Sequence, residues 1–217
     1  MINNAEGSEN NDVESSGNLN VKDSEGIIQF KIVYWGPGES GKTTNFMRLR
    51  EKFNSITLTE GYSIETTEGR TLWQDSLFIS FNFKVKGVKY TIITQIVTCT
   101  GQERFLSTRE YVLDGADGIV FVGDSLPEKS EQNKRSFREL ISFAKPKEIP
   151  YIVQLNKRDL ENAVSIDGFK KDLGLPIEEK YQDGTFVVYP AMALQGKNVI
   201  NCFQDLLVQV IFNYFNS

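Results

Sequence analysis

The sequence predicts an α/β fold: a mostly parallel six-stranded sheet with one antiparallel strand and helices on both faces. Three observations predict it. From Ile27 onward, short apolar strands alternate with amphipathic helical stretches, the pattern of a parallel sheet covered on both sides. Two β-rich runs, LFISFNFKV and KYTIITQIV, are split by Lys86-Gly87 and read as a hairpin, which supplies the antiparallel strand. A glycine-containing loop joins the first strand to the first helix, at the carboxyl end of a strand, where such sheets bind ligands.

The elements follow in order. Residues 1–26, MINNAEGSENNDVESSGNLNVKDSEG, hold six acids against Lys22 and almost no large apolar side chain. Too little surface is available for burial there to offset chain entropy, so residues 1–27 are expected to be a disordered acidic tail and residues 28–217 one domain. Gln29–Trp35 reads as a strand. The helix that follows GPGESGKTT continues to about Phe53, and NSITLTEGYSIETTEGR reads as a polar connection. After the hairpin come the buried strand GIVFVGD and a helix placing Phe137, Leu140, Ile141 and Ala144 on one face. PYIVQLNK is the next strand, SIDGFKKDL a shorter helix and TFVVYPA the last strand. In the final helix Val199, Phe203, Leu206, Val210 and Tyr214 form an apolar stripe.

Composition narrows the chemistry. The 217 residues suit one well-packed domain. Net charge is −5, but outside the acidic tail the chain carries 23 basic and 23 acidic residues, so bulk charge suggests neither nucleic acid nor an anionic membrane as partner. No stretch approaches the roughly 18–20 apolar residues that span a bilayer, and no signal peptide or covalent lipid anchor is evident. A cytoplasmic setting is the expectation, and two cysteines, Cys99 and Cys202, suit a reducing compartment. Histidine is absent, which excludes His-based metal sites, Ser-His or Cys-His nucleophiles and a histidine general base.

Gly36-x-x-x-x-Gly41-Lys42-Thr43 is the phosphate-loop (P-loop) pattern in its strand–loop–helix setting. Glycines let successive backbone N–H groups of Gly36, Gly38, Glu39, Ser40 and Gly41 wrap a phosphate, and the helix start at Lys42, Thr43 and Thr44 adds its positive end. Lys42 would reach the β and γ phosphates and the Thr43 hydroxyl would ligate Mg²⁺. Gly38 leaves room beside the γ-phosphate for water. The strand YIVQL then runs into Asn156-Lys157-Arg158-Asp159, the N-K-x-D pattern that reads guanine. Asp159 would accept from guanine N1–H and the 2-amino group, Asn156 would brace the loop, and the Lys157 stem would pack on the base.

On these residues the chain from about Phe30 to Phe215 resembles the Ras-like small GTPases, with a P-loop NTPase fold (G domain), and within them the MglA-type GTPases of prokaryotes. YWGPGESGKTT, the long stretch before Arg70-Thr71-Leu72-Trp73, Thr98 at a usual aspartate, and NKRDL followed by ENA carry that branch. Ala191-Met192-Ala193-Leu194 stands in place of the family's Ser-Ala-Lys loop; the Ala193 N–H would meet the guanine oxygen beside Leu194, with Met192 for the usual Ser. The resemblance further implies that Gly101 contacts the γ-phosphate, Gln102 orients water, and Thr71 ligates Mg²⁺ in switch I, with Thr66 and Thr67 as rivals. Arg70 is similar to an intrinsic catalytic arginine of that branch. Implied function is a switch binding GTP or GDP with Mg²⁺ and hydrolysing GTP slowly, read by effector proteins and stimulated by a Roadblock/MglB-like activating protein. The alternative is a nucleotide-locked, non-hydrolysing interaction module, and an ATP-dependent kinase is weakened by NKRD.

Overall fold

A computed structural model describes residues 26–62, 73–99, 111–144, 148–177 and 188–216. Its strands are β1 (Gly26–Trp35), β2 (Thr57–Tyr62), β3 (Trp73–Val85), β4 (Val88–Cys99), β5 (Gly118–Asp124), β6 (Tyr151–Asn156) and β7 (Val188–Pro190). They form one seven-stranded sheet in the order β2-β3-β4-β1-β5-β6-β7. Only β3 runs against its neighbours, pairing antiparallel with both β2 and β4, while every other described pair is parallel. The expected architecture therefore holds, with one correction: the sheet has a seventh strand, β2, inside what the sequence reads as a polar connection. An edge strand has one neighbour to satisfy, so a polar segment with Leu58 half-exposed pairs there without an apolar pattern to announce it.

The helices are α1 (Lys42–Lys52), α2 (Ser130–Ala144), α3 (Ile166–Leu173) and α4 (Val199–Asn216). One core lies between the sheet and α1 with α4, built on Ile32, Leu49, Ile96, Val120, Phe203 and Leu206. The other lies under α2 and α3, built on Val33, Trp35, Phe121, Leu140, Val153 and Phe169. Continuous burial of β5 and of the second half of β1 follows from having helices on both faces. The α4 stripe is buried at Val199, Phe203, Leu206 and Val210, but Tyr214 is half-exposed at the helix end, where it stacks edge-to-face with Phe30 and Phe215, ring centroids 5.5 and 5.2 Å apart. Ser165 caps α3 by accepting from the Gly168 N–H at 3.0 Å, and Gly174 closes it in the left-handed region.

The register brings four strand ends to one side of the sheet. Trp35 lies beside Phe121, Thr98 beside Tyr34, and Asp124 beside Asn156. The loops leaving β1, β5, β6 and β7 thus meet over the carboxyl edge.

Candidate nucleotide-binding site

The phosphate loop leaves from a strand end that packing holds still. Trp35 is fully buried, and its indole N–H donates to the Ser136 carbonyl of α2 at 3.1 Å. Gly36 follows at φ 152°, where a Cβ would lie 2.3 Å from the Val122 carbonyl oxygen. Gly41 closes the loop at φ 102°, where a Cβ would lie 2.2 Å from Asn156 Nδ2. Neither position admits a side chain. Helix α1 begins at Lys42 with no side-chain cap and no acid in its first turn, so its amide groups and positive dipole end suit an anion. The Lys42 ammonium lies across the loop, buried, donating to the carbonyls of Gly36 at 3.1 Å and Pro37 at 2.6 Å. Ser40 Oγ is buried with no hydrogen-bond partner among the described residues, and Thr43, next to Lys42, is exposed.

Asn156 joins this loop to the rest of the site. Its Nδ2 donates to the Ser40 carbonyl at 2.9 Å, and its Oδ1 accepts the Ala193 N–H at 2.9 Å. Its own carbonyl accepts from the Ser125 N–H at 3.1 Å and from the Ser125 hydroxyl. One residue at the end of β6 therefore ties the loops after β1, β5 and β7 together. Lys157 follows at φ 64°, its ammonium 2.6 Å from the fully buried Asp124 carboxylate, and Asp159 is exposed beyond it. The sequence assigns the Ala193 N–H to guanine. In the structure that donor is taken by Asn156 Oδ1, because the side-chain amide must satisfy both loops at once.

A strand–loop–helix with an uncapped helix start, braced by an asparagine from an N-K-x-D turn, has matching relatives. The model of the ADP-ribosylation factor family matches residues 22–210. The chain belongs to this family. It is a Ras-like small GTPase, a GTP-binding molecular switch close to MglA. It is 38% identical over 160 residues to the mutual gliding-motility protein MglA of Myxococcus xanthus, covering 71% of this chain and 80% of that one. It is 28% identical over 148 residues to human ADP-ribosylation factor-like protein 4A, covering 67% and 66% respectively. With the small COPII coat GTPase SAR1 of Giardia intestinalis it shares 26% identity over 145 residues, 66% of each.

Four features of the GTPase site are not singled out by its sequence. Asp124 anchors Lys157 and accepts the Leu126 N–H at 3.0 Å, while Asn133 of α2 fixes the Asp124 backbone through bonds of 3.0 and 2.8 Å. Arg48 of α1 donates to the carbonyls of Ala193, at 3.3 Å, and Leu194, pinning the last loop. Met192 and Lys197 exchange two backbone bonds of 3.2 Å, which stiffen that loop where a serine hydroxyl is missing. Asn45 is buried below the phosphate loop, where it accepts from Gln154 Nε2 at 2.8 Å and donates to the Gly41 carbonyl at 2.9 Å. Apart from the Met192–Lys197 bridge, these pairs join residues brought together by the tertiary fold, so no local signal marks them.

Thr98 is buried at the end of β4, beside Tyr34. Gly101, Gln102, Arg70 and Thr71, with the rivals Thr66 and Thr67, lie outside the described residues. Among the described residues no cluster of three or more His, Cys, Asp or Glu side chains could hold a metal, and no helix is long and apolar enough to cross a membrane.

Proposed function

We propose that this GTPase binds GTP or GDP with Mg²⁺, hydrolyses GTP slowly, and cycles two switch segments between conformations that partner proteins read. The observation that carries this is the Asn156 tether, which sets the phosphate loop and the guanine loop at a fixed separation. Phosphates lie against the N–H groups of residues 38–44, with Lys42 turning its ammonium from the loop carbonyls to the β and γ oxygens. Asp159 accepts from guanine N1–H and the 2-amino group, the Lys157 stem covers the base, and Ala193 with Leu194 borders the guanine oxygen. The hydroxyls of Thr43 and Thr71, hard oxygen donors of the kind Mg²⁺ takes, would hold the metal, and the uncapped start of α1 would tolerate phosphates beside it. When bound, Mg²⁺ screens charge on the β and γ phosphates.

Gln102 orients the attacking water, and Gly101 holds the γ-phosphate through its N–H. Arg70 stabilises charge developing on the transferring phosphoryl group, a role worth about 10³–10⁵ in rate. Loss of the γ-phosphate releases Thr71 and Gly101 together, the order–disorder form of switching. A Roadblock/MglB-like protein is the activating partner, in the cytoplasm, and it brings Arg70 into place.

Two measurements test this. Purified protein should carry guanine nucleotide, and competition titration should favour GTP over ATP by about 10⁴-fold. Equal affinity for the two overturns guanine reading. Single-turnover hydrolysis should be slow, faster with a Roadblock-type protein, abolished by Gln102→Leu and unstimulated in Arg70→Ala. GTP retained without turnover under every condition makes the protein a nucleotide-locked interaction module, the reading that Thr98 in place of a carboxylate favours.

A further inference from the structure

The phosphate loop contains a carboxylate, Glu39, at φ 65°. A fixed negative charge beside a bound polyphosphate opposes binding, so something must offset it. Lys157, the cation of the guanine loop, is bonded to Asp124 at 2.6 Å and adds only the smallest of the charge contributions at Glu39. The partner is Lys129, whose ammonium lies 2.7 Å from Glu39 Oε2. Lys129 ends a short turn, Pro127–Lys129, that follows β5, and its N–H donates to the Leu126 carbonyl at 3.0 Å. That turn departs from Ser125, which is bonded to Asn156, so the lysine is held against the same frame as the nucleotide loops.

Resting on the nucleotide-binding reading above, we propose that Lys129 is a nucleotide-retention residue: it neutralises Glu39, allowing a phosphate loop that carries a carboxylate to keep a nucleoside diphosphate or triphosphate. The hydrogen bond from Lys129, and then its charge, hold the Glu39 carboxyl below its ordinary acidity range, and the same bond raises Lys129. Glu39 is 79% exposed, so water and salt screen the pair, and the effect is modest, about three- to tenfold in release rate.

The sign of the single variants separates charge neutralisation from a mechanical strap. Lys129→Met leaves Glu39 uncompensated beside the phosphates and speeds release. Glu39→Gln removes the offending charge, so release stays equal or slows. The double variant returns to within about twofold of wild type, and Lys129→Arg keeps the wild-type rate. A strap predicts the contrary, that either single variant accelerates release equally.

The experiment is stopped-flow displacement of fluorescently labelled GDP from the full chain, at low and high salt. Lys134→Met, which breaks the pairs of Lys134 with Glu131 on α2 and Asp172 on α3, serves as the control. Faster release for Lys129→Met alone, shrinking at high salt, is the expected result. Release from Lys129→Met at the wild-type rate overturns the proposal, as does equal acceleration by Glu39→Gln. Failure of the wild type to bind labelled GDP at all would instead refute the nucleotide reading itself.

Discussion

Asn156 donates its side-chain amide to the Ser40 carbonyl at 2.9 Å, across 116 positions of sequence. Both partners are buried, so no water stands ready to replace either one. The same side chain also accepts the Ala193 N–H. Asn156→Ala orphans a buried carbonyl and a buried amide together, and should cost about 2–4 kcal/mol of stability. Urea unfolding measures this. A loss under 1 kcal/mol would show that the loops hold their places without the tether.

Gly41→Ala should be worse for binding than for folding. Its Cβ would lie 2.2 Å from Asn156 Nδ2, and φ 102° disfavours any side chain. The least disruptive response is for Asn156 to swing away, releasing the phosphate loop from the guanine loop. Nucleotide affinity should fall by at least about 10²-fold, corresponding to about 2.7 kcal/mol. Calorimetric titration with GDP checks it, and unchanged affinity would mean that the two loops are not coupled.

Tyr34→Phe is expected to keep or raise stability. The Tyr34 ring is fully buried in the core under α1 and α4, and its hydroxyl finds no hydrogen-bond partner among the described residues. Removing an unpaired buried hydroxyl relieves a desolvation penalty of about 1–3 kcal/mol, less the loss of its packing. Thermal unfolding should give an equal or higher Tm. A marked fall would reveal a partner for that oxygen.

Alkaline pH should destabilise the fold before it affects the surface. Burial, and then the Asp205 charge, push the Cys202 thiol far above its ordinary range. Burial, and then Cys202, likewise raise the Tyr34 hydroxyl. Above a pH of about 8.5 the unfolded thiol loses its proton while the folded one keeps it, so the native state binds more protons and stability falls as pH rises. The slope should approach about 1.4 kcal/mol per pH unit, with Tyr34 adding a second contribution above about pH 10. In Cys202→Ala the fall between pH 8.5 and 10 should disappear. Urea midpoints across that range decide the matter.

The strand–loop–helix at Gly36 to Thr43 and the turn at Asn156 to Asp159 were legible as backbone features, because each is written in contiguous residues. The offsets around them were not. Glu39 and Lys129 are 90 positions apart, and Asp124 and Lys157 are 33 apart. Nothing in either neighbourhood announces its partner, since a lysine in sequence looks the same with or without one. Ala193 shows a subtler limit, because motif logic assigns an N–H to a base without knowing that a side chain nearby also claims it. For the fold, burial on both faces made β5 plain, whereas β2, paired on one side only, carries too weak an alternation to stand out.

β1 occupies the middle of the sheet, yet of all the described strands it leaves the ribosome first. Its neighbours β4 and β5 end only at Cys99 and Asp124. At about 5–20 residues per second of synthesis, the segment GIIQFKIVYW waits several seconds with both backbone edges unpaired. Strands β2 to β4, sequential and antiparallel, can assemble locally meanwhile and offer the first template. Until then a nascent chain displays an apolar, β-prone ribbon ending in Trp35, the kind of segment that chaperones shield and neighbouring polypeptides capture. Placing the phosphate loop on a central strand thus exposes its support to misassembly during translation, and makes the speed of hairpin closure a determinant of yield.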